Sequence, residues 1–217
     1  MSRGLILQYD SRGVQYPEFL DYNISYAKSK NYKFLFLLKS IYYVPPYWEK
    51  IFIVKDFLPF YSWILWLDSD AVIYNMDMEI PGLELPYDFI FTSDPPCWRS
   101  PFNAGVFLVK NTPVGIKILN EWISGYNPKR WYLKNSKWYC YGEWSGVDYE
   151  QGFFVKNIMQ KYKDNIKSLE WYVYNTPCYH YIHPKTFSIH FAASFKNDIK
   201  DIIEGNLGKC KSGVESS

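Results

Sequence analysis

Residues 63–74, WILWLDSDAVIY, decide the fold that the rest of the chain has to build. Five strand-forming apolar residues lead into Asp68, Ser69 and Asp70, after which the sequence becomes apolar again. Residues two apart in an extended chain point to the same side, so both carboxylates are predicted to face one spot. Two such carboxylates repel each other, and a divalent cation would remove that repulsion.

Oxygen ligands at the end of a sheet suit Mg²⁺ or Mn²⁺, ions that commonly lie beside a substrate phosphate. Asp is also frequent directly after strands, where it caps turns and helices, so the pair has a purely structural interpretation as well. The apolar strand before the pair and the polar residues that follow along the chain favour the metal site.

Composition limits the classes of protein to consider. The 217 residues suffice for one domain with a sizeable core. A formal net charge of +2 argues against nucleic-acid binding driven by bulk charge. Aromatic residues form 21% of the chain, which fits a tightly packed core or surfaces that stack on sugars or bases. The four cysteines are irregularly spaced and predict no disulfide framework.

The sequence shows no sign of membrane targeting. The first ten residues, MSRGLILQYD, lack the apolar region of a signal peptide, and no apolar run reaches the roughly 20 residues of a bilayer span. A soluble, cytoplasmic protein is therefore expected. We predict a single domain at residues 1–207 and a flexible tail or linker at 208–217, which would also suit a piece of a longer multidomain chain.

Alternating strand and helix patterns predict an α/β fold with a mostly parallel central sheet flanked by helices. Strands are expected at residues 4–9, 33–38, 63–68, 88–92, 102–109, 171–174 and 187–191. Helices are expected at 17–29, 47–57, 113–125, 147–162 and 194–203, the third with Thr112 as its N-cap. Residues 127–144 lack periodicity and are rich in aromatic and basic residues, which predicts a long functional loop.

Ligands of such sheets bind beyond the carboxyl ends of the strands, so Tyr9 and Asp10 are expected to approach the two aspartates. The glycine-rich fingerprints of dinucleotide-binding enzymes and P-loop nucleotidases are absent, and so is the nucleophile elbow of α/β-hydrolases. Any phosphate group must therefore be held by a metal and by cationic side chains.

His190 lies in the strand-like segment SIHFAASF. A lone His among apolar neighbours is more often a satisfied core residue, but with the two aspartates it would complete a set that suits Mn²⁺. Lys196 follows, either as a solvated residue or as a point charge on a diphosphate.

Asp148, Glu150 and Gln151 open a predicted helix. The spacing of Asp148 and Gln151 is that of a capping box, which would explain both residues structurally. In the alternative interpretation the helix start faces a reacting sugar, and Asp148 or Glu150 binds its hydroxyls or acts as a general base. The sequence leaves both interpretations open.

Taken in order, the motifs resemble those of a known family. WLDSDAVIY, FNAGVFLVKN, DYEQGFF and HFAASFK follow one another as in the GT-A nucleotide-sugar glycosyltransferases, and most closely as in the galactosyltransferase/mannosyltransferase group of yeast and plant Golgi enzymes. The resemblance covers about residues 5–203. The chain also looks close to the first domain of the capsid-glycosylating glycosyltransferases of chloroviruses, which act in the host cytoplasm and likewise lack a Golgi anchor.

This resemblance implies a GT-A, Rossmann-like fold and a metal-dependent glycosyltransferase with Mn²⁺ or Mg²⁺ as cofactor. The enzyme would move a hexose or deoxyhexose, such as glucose, galactose or rhamnose, from a UDP-sugar to a hydroxyl group of a glycan. A glycan or glycoprotein would be the acceptor, with the major capsid protein as the viral case. The location would then be the host cytoplasm, with no nucleic acid as partner.

The resemblance also implies roles for individual residues. The metal ligands would be Asp68, Asp70 and His190. The nucleotide would be bound by Gln8, Tyr9, Asp10, Asp68, Ser69 and Lys196. The donor sugar and the acceptor would meet Asn103, Ala104, Gly105 and Trp144. The catalytic residues would be Asp148, Glu150 and Gln151, and the presence of two acids leaves the identity of a base open.

Two other functions would use the same features differently. A metal-dependent nucleotidyltransferase or sugar-nucleotide hydrolase would use the aspartate pair without an acceptor site. A non-catalytic carbohydrate-binding module would hold glycans through Trp and Tyr and would keep binding after metal chelation. The paired aspartates argue against the module, because a lectin-like site needs no ion that bridges a diphosphate.

Overall fold

The structure, a computed structural model, describes residues 4–96, 98 and 100–192. Its main sheet has six strands, which lie in the spatial order β2–β1–β3–β6–β5–β9. They are β1 (Gly4–Tyr9), β2 (Lys33–Leu37), β3 (Trp63–Asp68), β5 (Phe89–Thr92), β6 (Val106–Lys110) and β9 (Ile166–Leu169). The strands β1, β2 and β3 are parallel, as are β5 and β9, whereas β6 runs antiparallel to both of its neighbours. The predicted mostly parallel α/β sheet is confirmed, with one reversed strand.

Two shorter sheets complete the strands. One pairs β4 (Ala71–Ile73) with β10 (Ser188–His190), and the other is a hairpin of β7 (Trp131–Lys134) and β8 (Lys137–Cys140). The α-helices are α1 (Pro17–Ser29), α2 (Pro46–Phe57), α3 (Pro113–Ser124), α4 (Glu150–Phe153) and α5 (Trp171–Tyr174). A π-helical turn, Phe154–Ile158, continues α4. The 3₁₀ turns are Leu58–Phe60, Pro128–Arg130 and Tyr179–Tyr181.

Strand β3 is buried on both faces, and its side chains alternate between two apolar clusters. Ile64 and Trp66 join the cluster that contains α2 and α3, whereas Leu65 and Leu67 join the cluster on the opposite face. This period of two assigns Asp68 to the face of Trp66 and α2. A helix packed on that face is therefore the element that meets the first aspartate.

Three predictions of secondary structure are wrong. Residues 171–174, WYVY, form the helix α5 although their types favour strands, and the sheet edge is taken instead by the unpredicted strand β9. Residues 127–144 are not an irregular loop but contain the β7–β8 hairpin, whose turn residues Asn135 and Ser136 have φ of 49° and 60°. Positive φ at both turn residues is the geometry of a type I′ turn, which matches the twist of a hairpin.

The third error concerns the helix expected at 147–162, which begins only at Glu150 and changes to π-helical geometry at Phe154. The helix expected at 194–203 and the tail expected at 208–217 lie outside the described residues. None of the helices in the described part of the chain combines the length and the apolar character that a membrane span requires.

The predicted N-cap of α3 is confirmed and gives a test of stability. The Thr112 hydroxyl accepts a hydrogen bond from Gly115 N at 2.9 Å and donates one to Asp88 Oδ1 at 2.6 Å. Thr112→Ala removes both bonds and should lower the free energy of unfolding by about 1–2 kcal/mol, measured by urea denaturation. Thr112→Ser keeps the hydroxyl and should stay close to the wild type. Equal losses in the two variants would contradict this account of the cap.

Candidate active site

The acidic turn brings three of the predicted ligands together. Asp68 is the last residue of β3, and Asp70 lies in the turn that leads to β4. One ligand atom from each of Asp68, Asp70 and His190 lies within 4.8 Å of the others. The His190 Nε2 atom is 3.4 Å from Asp70 Oδ1 and 4.0 Å from Asp68 Oδ2. The two aspartates converge because the chain turns between them, not because the strand stays extended, as the sequence argument assumed.

His190 reaches the turn through strand pairing. Strand β10 runs antiparallel to β4 and aligns His190 with Ala71, directly after the second aspartate. The His190 Nδ1 atom lies 2.7 Å from the Asn175 side-chain oxygen, which accepts its proton. The Nε2 atom therefore faces the carboxylates, as in metal sites where an outer residue orients a histidine.

Gly105 makes room for this histidine. A Cβ atom at position 105 would lie 2.1 Å from His190 Cε1, a distance that no side chain tolerates. The Gly105 carbonyl accepts a hydrogen bond from Asp68 N at 2.7 Å, so the same residue also holds the end of β3. Two carboxylates and an imidazole oriented toward them form a donor set that fits Mn²⁺ or Mg²⁺, the imidazole favouring Mn²⁺.

Lys50 of α2 is a site residue that the sequence analysis missed. Its Nζ atom lies 2.8 and 3.1 Å from the two Asp68 carboxylate oxygens, 3.1 Å from the Ala104 carbonyl oxygen and 3.7 Å from Glu150 Oε1. Burial disfavours the charged ammonium, but the charges of Asp68 and Glu150 outweigh burial and raise the Lys50 pKa. The sequence did contain a signal for this residue. Lys50 lies three and four positions before Ile53 and Val54, on the apolar stripe of α2, where a lysine is buried only if it is paired.

Glu150 is the buried acid of the site. It begins α4, is 4% exposed, and lies against Lys50. Burial raises the pKa of Glu150 to about 7; Lys50 opposes this shift and Asp68 adds to it. A carboxyl group that titrates near neutral pH is suited to gain or lose a proton at working pH.

Asp148 is held in an ion pair. Its Oδ2 atom accepts hydrogen bonds from Arg130 Nε at 3.1 Å and Nη2 at 3.0 Å. Its backbone carbonyl accepts bonds from the indoles of Trp48 and Trp131, so this residue ties the base of the hairpin to the core. The capping-box interpretation is wrong, because Tyr149 occupies the N-cap of α4 and no side chain caps it.

The Asn-Ala-Gly segment is fixed from several sides. The Asn103 amide nitrogen donates to Asp94 Oδ1 at 2.6 Å, and its side-chain oxygen accepts from Gly105 N at 2.7 Å. The Gln151 side-chain oxygen accepts from Ala104 N at 3.2 Å. The segment therefore has a set shape next to the acidic turn, while its predicted contact with a donor sugar stays a prediction.

The residues at the end of β1 divide into two groups. Gln8 is buried, and its amide donates to the carbonyls of Asp68 at 3.1 Å and Ala71 at 3.3 Å, so it supports the turn from within. Asp10 accepts bonds from Arg12 at 2.9 and 2.7 Å and from the Ser69 hydroxyl at 2.7 Å. Burial opposes ionisation of Asp10, but these bonds prevail and lower its pKa.

Tyr9 is also largely buried, and its hydroxyl donates to Glu49 Oε2 at 2.6 Å. The predicted contacts of Gln8, Tyr9, Asp10 and Ser69 with a nucleotide stay predictions. Lys196, the predicted cation for the diphosphate, lies outside the described residues.

A cleft of about 690 Å³ opens over the acidic turn, a volume in the usual range of small-molecule sites. Its lining includes the end of β1, the start of α2, the acidic turn and the inner face of the hairpin. The exposed Tyr43, with φ of 55°, stands at this cleft, and Leu133 and Trp138 line it from the hairpin. Trp144 is 70% exposed and packs edge-on against Tyr47 and Tyr149 beside them.

Comparison with known proteins agrees with this geometry. The model of the galactosyl transferase GMA12/MNN10 family matches residues 15–92, which include the acidic turn. The probable alpha-1,2-galactosyltransferase gmh1 of Schizosaccharomyces pombe is 40% identical over 65 residues, 29% of this chain and 20% of that protein. The chain thus spans about a fifth of the length of the curated relatives it matches.

Solved glycosyltransferases share the fold over most of the chain. The glycosyltransferase involved in glycosylation of the major capsid of PBCV-1 superposes with a TM-score of 0.66 and 17% identity, over 92% of this chain and 99% of that one. A Drosophila β1,4-galactosyltransferase 7 variant in complex with manganese, UDP-Gal and xylobiose superposes with a TM-score of 0.52 and 13% identity. The superposition covers 90% of this chain and 73% of that one.

The fold is therefore of the GT-A type that these solved glycosyltransferases share. Residues 15–92 are in addition similar to the galactosyl transferase GMA12/MNN10 family. The predicted GT-A fold and the predicted resemblance to the galactosyltransferase/mannosyltransferase group are confirmed.

The orientation of His190 by Asn175 leads to a prediction about metal binding. Asn175→Ala leaves Nδ1 without its acceptor, and the affinity for Mn²⁺ in the presence of UDP should fall about 10–100-fold. Electron paramagnetic resonance of free Mn²⁺ measures that affinity directly. Asn157→Ala, at an exposed amide of the π-helical turn, is the matched control and should behave as the wild type. An unchanged affinity in Asn175→Ala would remove Asn175 from the site.

Glu150 leads to a prediction about pH. Because its folded-state pKa of about 7 exceeds the usual value of 4.5, the native state binds a proton that the unfolded state releases between those pH values. Stability should thus decline as the pH rises through this window, and Glu150→Gln should remove the decline. In metal-free buffer, the variant should gain roughly 1–3 kcal/mol over the wild type at pH 8 and almost nothing at pH 4. Urea unfolding across pH measures this, and a gain independent of pH would contradict it.

Proposed function

We propose that this chain is the donor-binding and catalytic domain of a metal-dependent glycosyltransferase that moves a hexose or deoxyhexose from a UDP-sugar to a hydroxyl group of a glycan. One observation carries the proposal: Asp68, Asp70 and His190 converge beneath an open cleft on a GT-A fold. Such a set at the carboxyl end of a sheet suits an ion that bridges protein and diphosphate.

Asp68, Asp70 and His190 would hold Mn²⁺ or Mg²⁺, which when bound stabilises the negative charge of the departing diphosphate. The manganese and UDP-Gal in the solved Drosophila relative support this choice of metal and nucleotide. Arg12 and Lys137 line the cleft and supply positive charge toward the phosphates. Asp10 and Ser69, which are bonded to each other at the cleft wall, are the candidates for the nucleoside.

Glu150 is the stronger of the two candidate bases. Its carboxyl group has a pKa near neutrality and lies 3.7 Å from Lys50, which in turn contacts the ligand Asp68. Asp148 is instead held in an ion pair with Arg130. In an inverting reaction, Glu150 takes the proton of the acceptor hydroxyl as the new glycosidic bond forms. In a retaining reaction no such proton transfer is required. Glu150 would then fix the position of Lys50 and contact the donor sugar. Gln151 and the Asn-Ala-Gly segment would shape the donor-sugar pocket.

The hairpin is the candidate acceptor region. On its outer face, Tyr132 packs against Tyr139 with ring centroids 5.4 Å apart and against Tyr141 at 4.9 Å, and all three rings are exposed. Amphipathic rings of this kind present flat apolar surfaces with polar edges, which suit sugar rings. Together with Trp144 they would receive a glycan beside the cleft. A viral capsid protein is the particular acceptor that the likeness to the glycosyltransferase of PBCV-1 major capsid glycosylation supports.

Calorimetric titration with UDP tests the donor site. UDP should bind with Mn²⁺ and bind at least tenfold more weakly without it, because the ion carries the charge that meets the diphosphate. Asp70→Ala should abolish the dependence on metal, whereas Asp77→Ala, an exposed aspartate nearby in sequence, should not change it.

UDP binding that ignores both metal and Asp70 would contradict the proposed site. Should UDP bind as expected while UDP-sugars are only hydrolysed in the presence of glycans, the enzyme would be a sugar-nucleotide hydrolase.

A further inference from the structure

We propose that Lys50 is a positioning residue that presets the charge of the metal site: it weakens the binding of a divalent cation alone, strengthens the binding of a diphosphate, and thereby makes the two enter together. This inference rests on the proposed function, since it concerns how the same site takes its donor. Binding of the metal without nucleotide distinguishes a failure of this inference from a failure of the proposed function.

The contacts of Lys50 account for all the donors of its ammonium group. Nζ reaches the Asp68 carboxylate at 2.8 and 3.1 Å, the Ala104 carbonyl oxygen at 3.1 Å and Glu150 Oε1 at 3.7 Å. The side chain is only 7% exposed. A lysine buried this far is costly unless it is paired, so its place in the core is specified by the two acids it meets.

Lys50 also sets the direction of the Asp68 carboxylate. Asp68 Oδ1 accepts hydrogen bonds from Lys50 at 2.8 Å and from the indole nitrogen of Trp66 at 2.8 Å. The other oxygen, Oδ2, is the one nearer to His190 Nε2, at 4.0 Å. Oδ2 also accepts a longer hydrogen bond from Lys50, at 3.1 Å. Lys50 and Trp66 therefore hold Oδ1 at the shorter distances and turn Oδ2 toward His190.

The charges around the turn follow from these contacts. Asp68 and Asp70 are the two acidic side chains of the turn, and the Lys50 ammonium lies at hydrogen-bonding distance from the first of them. A fixed ammonium beside a ligand carboxylate repels a second cation that approaches the same carboxylate, and this repulsion weakens the binding of that cation. The same ammonium attracts a diphosphate.

The effects of Lys50 on the Mn²⁺ affinity and on the UDP affinity have opposite signs, which distinguishes the inference from a general loss of binding. Loss of the positive charge should tighten Mn²⁺ and loosen UDP. Mere damage to the site would weaken both ligands, because Asp68 would lose its fixed direction. A change of protein stability alone would affect neither affinity in the folded protein.

The test uses Lys50→Met, which keeps an unbranched side chain, shorter by the terminal nitrogen, and removes its charge. Free Mn²⁺ is followed by electron paramagnetic resonance without nucleotide, and UDP is titrated calorimetrically without metal. We expect Mn²⁺ alone to bind about tenfold or more tightly in the variant and UDP alone to bind more weakly by a similar factor. Lys50→Arg keeps the charge and should keep Mn²⁺ binding near that of the wild type.

Lys55→Met is the matched control, since Lys55 lies on the same helix with a side chain 45% exposed and should leave both affinities unchanged. If Lys50→Met does not fold, Lys50→Gln replaces it, because an amide still donates to Asp68 without carrying charge. Mn²⁺ affinity that is unchanged or weaker in the neutral variants overturns the inference. The same holds if neither wild type nor variant binds millimolar Mn²⁺. Failure of UDP to bind any of the proteins, with Mn²⁺ tightened as expected, would refute the donor site and the effect of Lys50 on a diphosphate, but not its effect on the metal.

Discussion

Compensation of the negative charge of Asp68 is the constraint on which the rest of the structure depends. A carboxylate at the end of a fully buried strand is costly unless positive or donor groups meet it. Lys50 and the Trp66 indole do so from the same face of the sheet. Lys50 reaches Asp68 only because α2 packs across the carboxyl end of β3, and the start of that helix also forms one wall of the cleft. The packing of α2 across the end of β3 therefore both neutralises the charge of Asp68 and places the cleft above it.

The acidic turn is held by groups that face no ligand. Asn23 bonds the Gln8 side chain and the backbone of Ala71 and Ile73, and Gln8 bonds the backbone of Asp68, so the buried polar groups of the turn are satisfied from inside. Pairing of β10 with β4 then delivers the histidine, with Gly105 leaving the space for its ring. The ligand set is arranged by the fold itself, which is what a site that binds charge at short distances requires.

The family match and the groups proposed to contact the transferred sugar and the acceptor lie in different parts of the chain. The family match at residues 15–92 contains the acidic turn and Lys50. These are only part of the set proposed to handle the metal and the diphosphate, because Arg12, Lys137 and His190 lie outside the match. Glu150, His190 and the β7–β8 hairpin lie outside it. The groups proposed to contact the transferred sugar and the acceptor are thus supplied by segments that the family model does not match. This division suits an enzyme class in which one donor chemistry serves many acceptors.

The sequence by itself determined the α/β class, the buried strand that leads into the two aspartates and the cap of α3, because these depend on local periodicity and on residue chemistry. It offered the histidine as a ligand by its chemistry, but the pairing of β10 with β4 brings it to the aspartates. It did not reveal that WYVY is helical or that Asp148 is bound by Arg130, since each of these depends on the tertiary packing. The hairpin at residues 131–140 is a local structure, but its turn residues Asn135 and Ser136 are not a pattern typical of hairpins. Lys50 shows the limit most clearly. Its position on an apolar helix stripe is visible in the sequence, but only the packing of α2 against β3 decides which carboxylate it meets, because electrostatic partners are selected by distance in space.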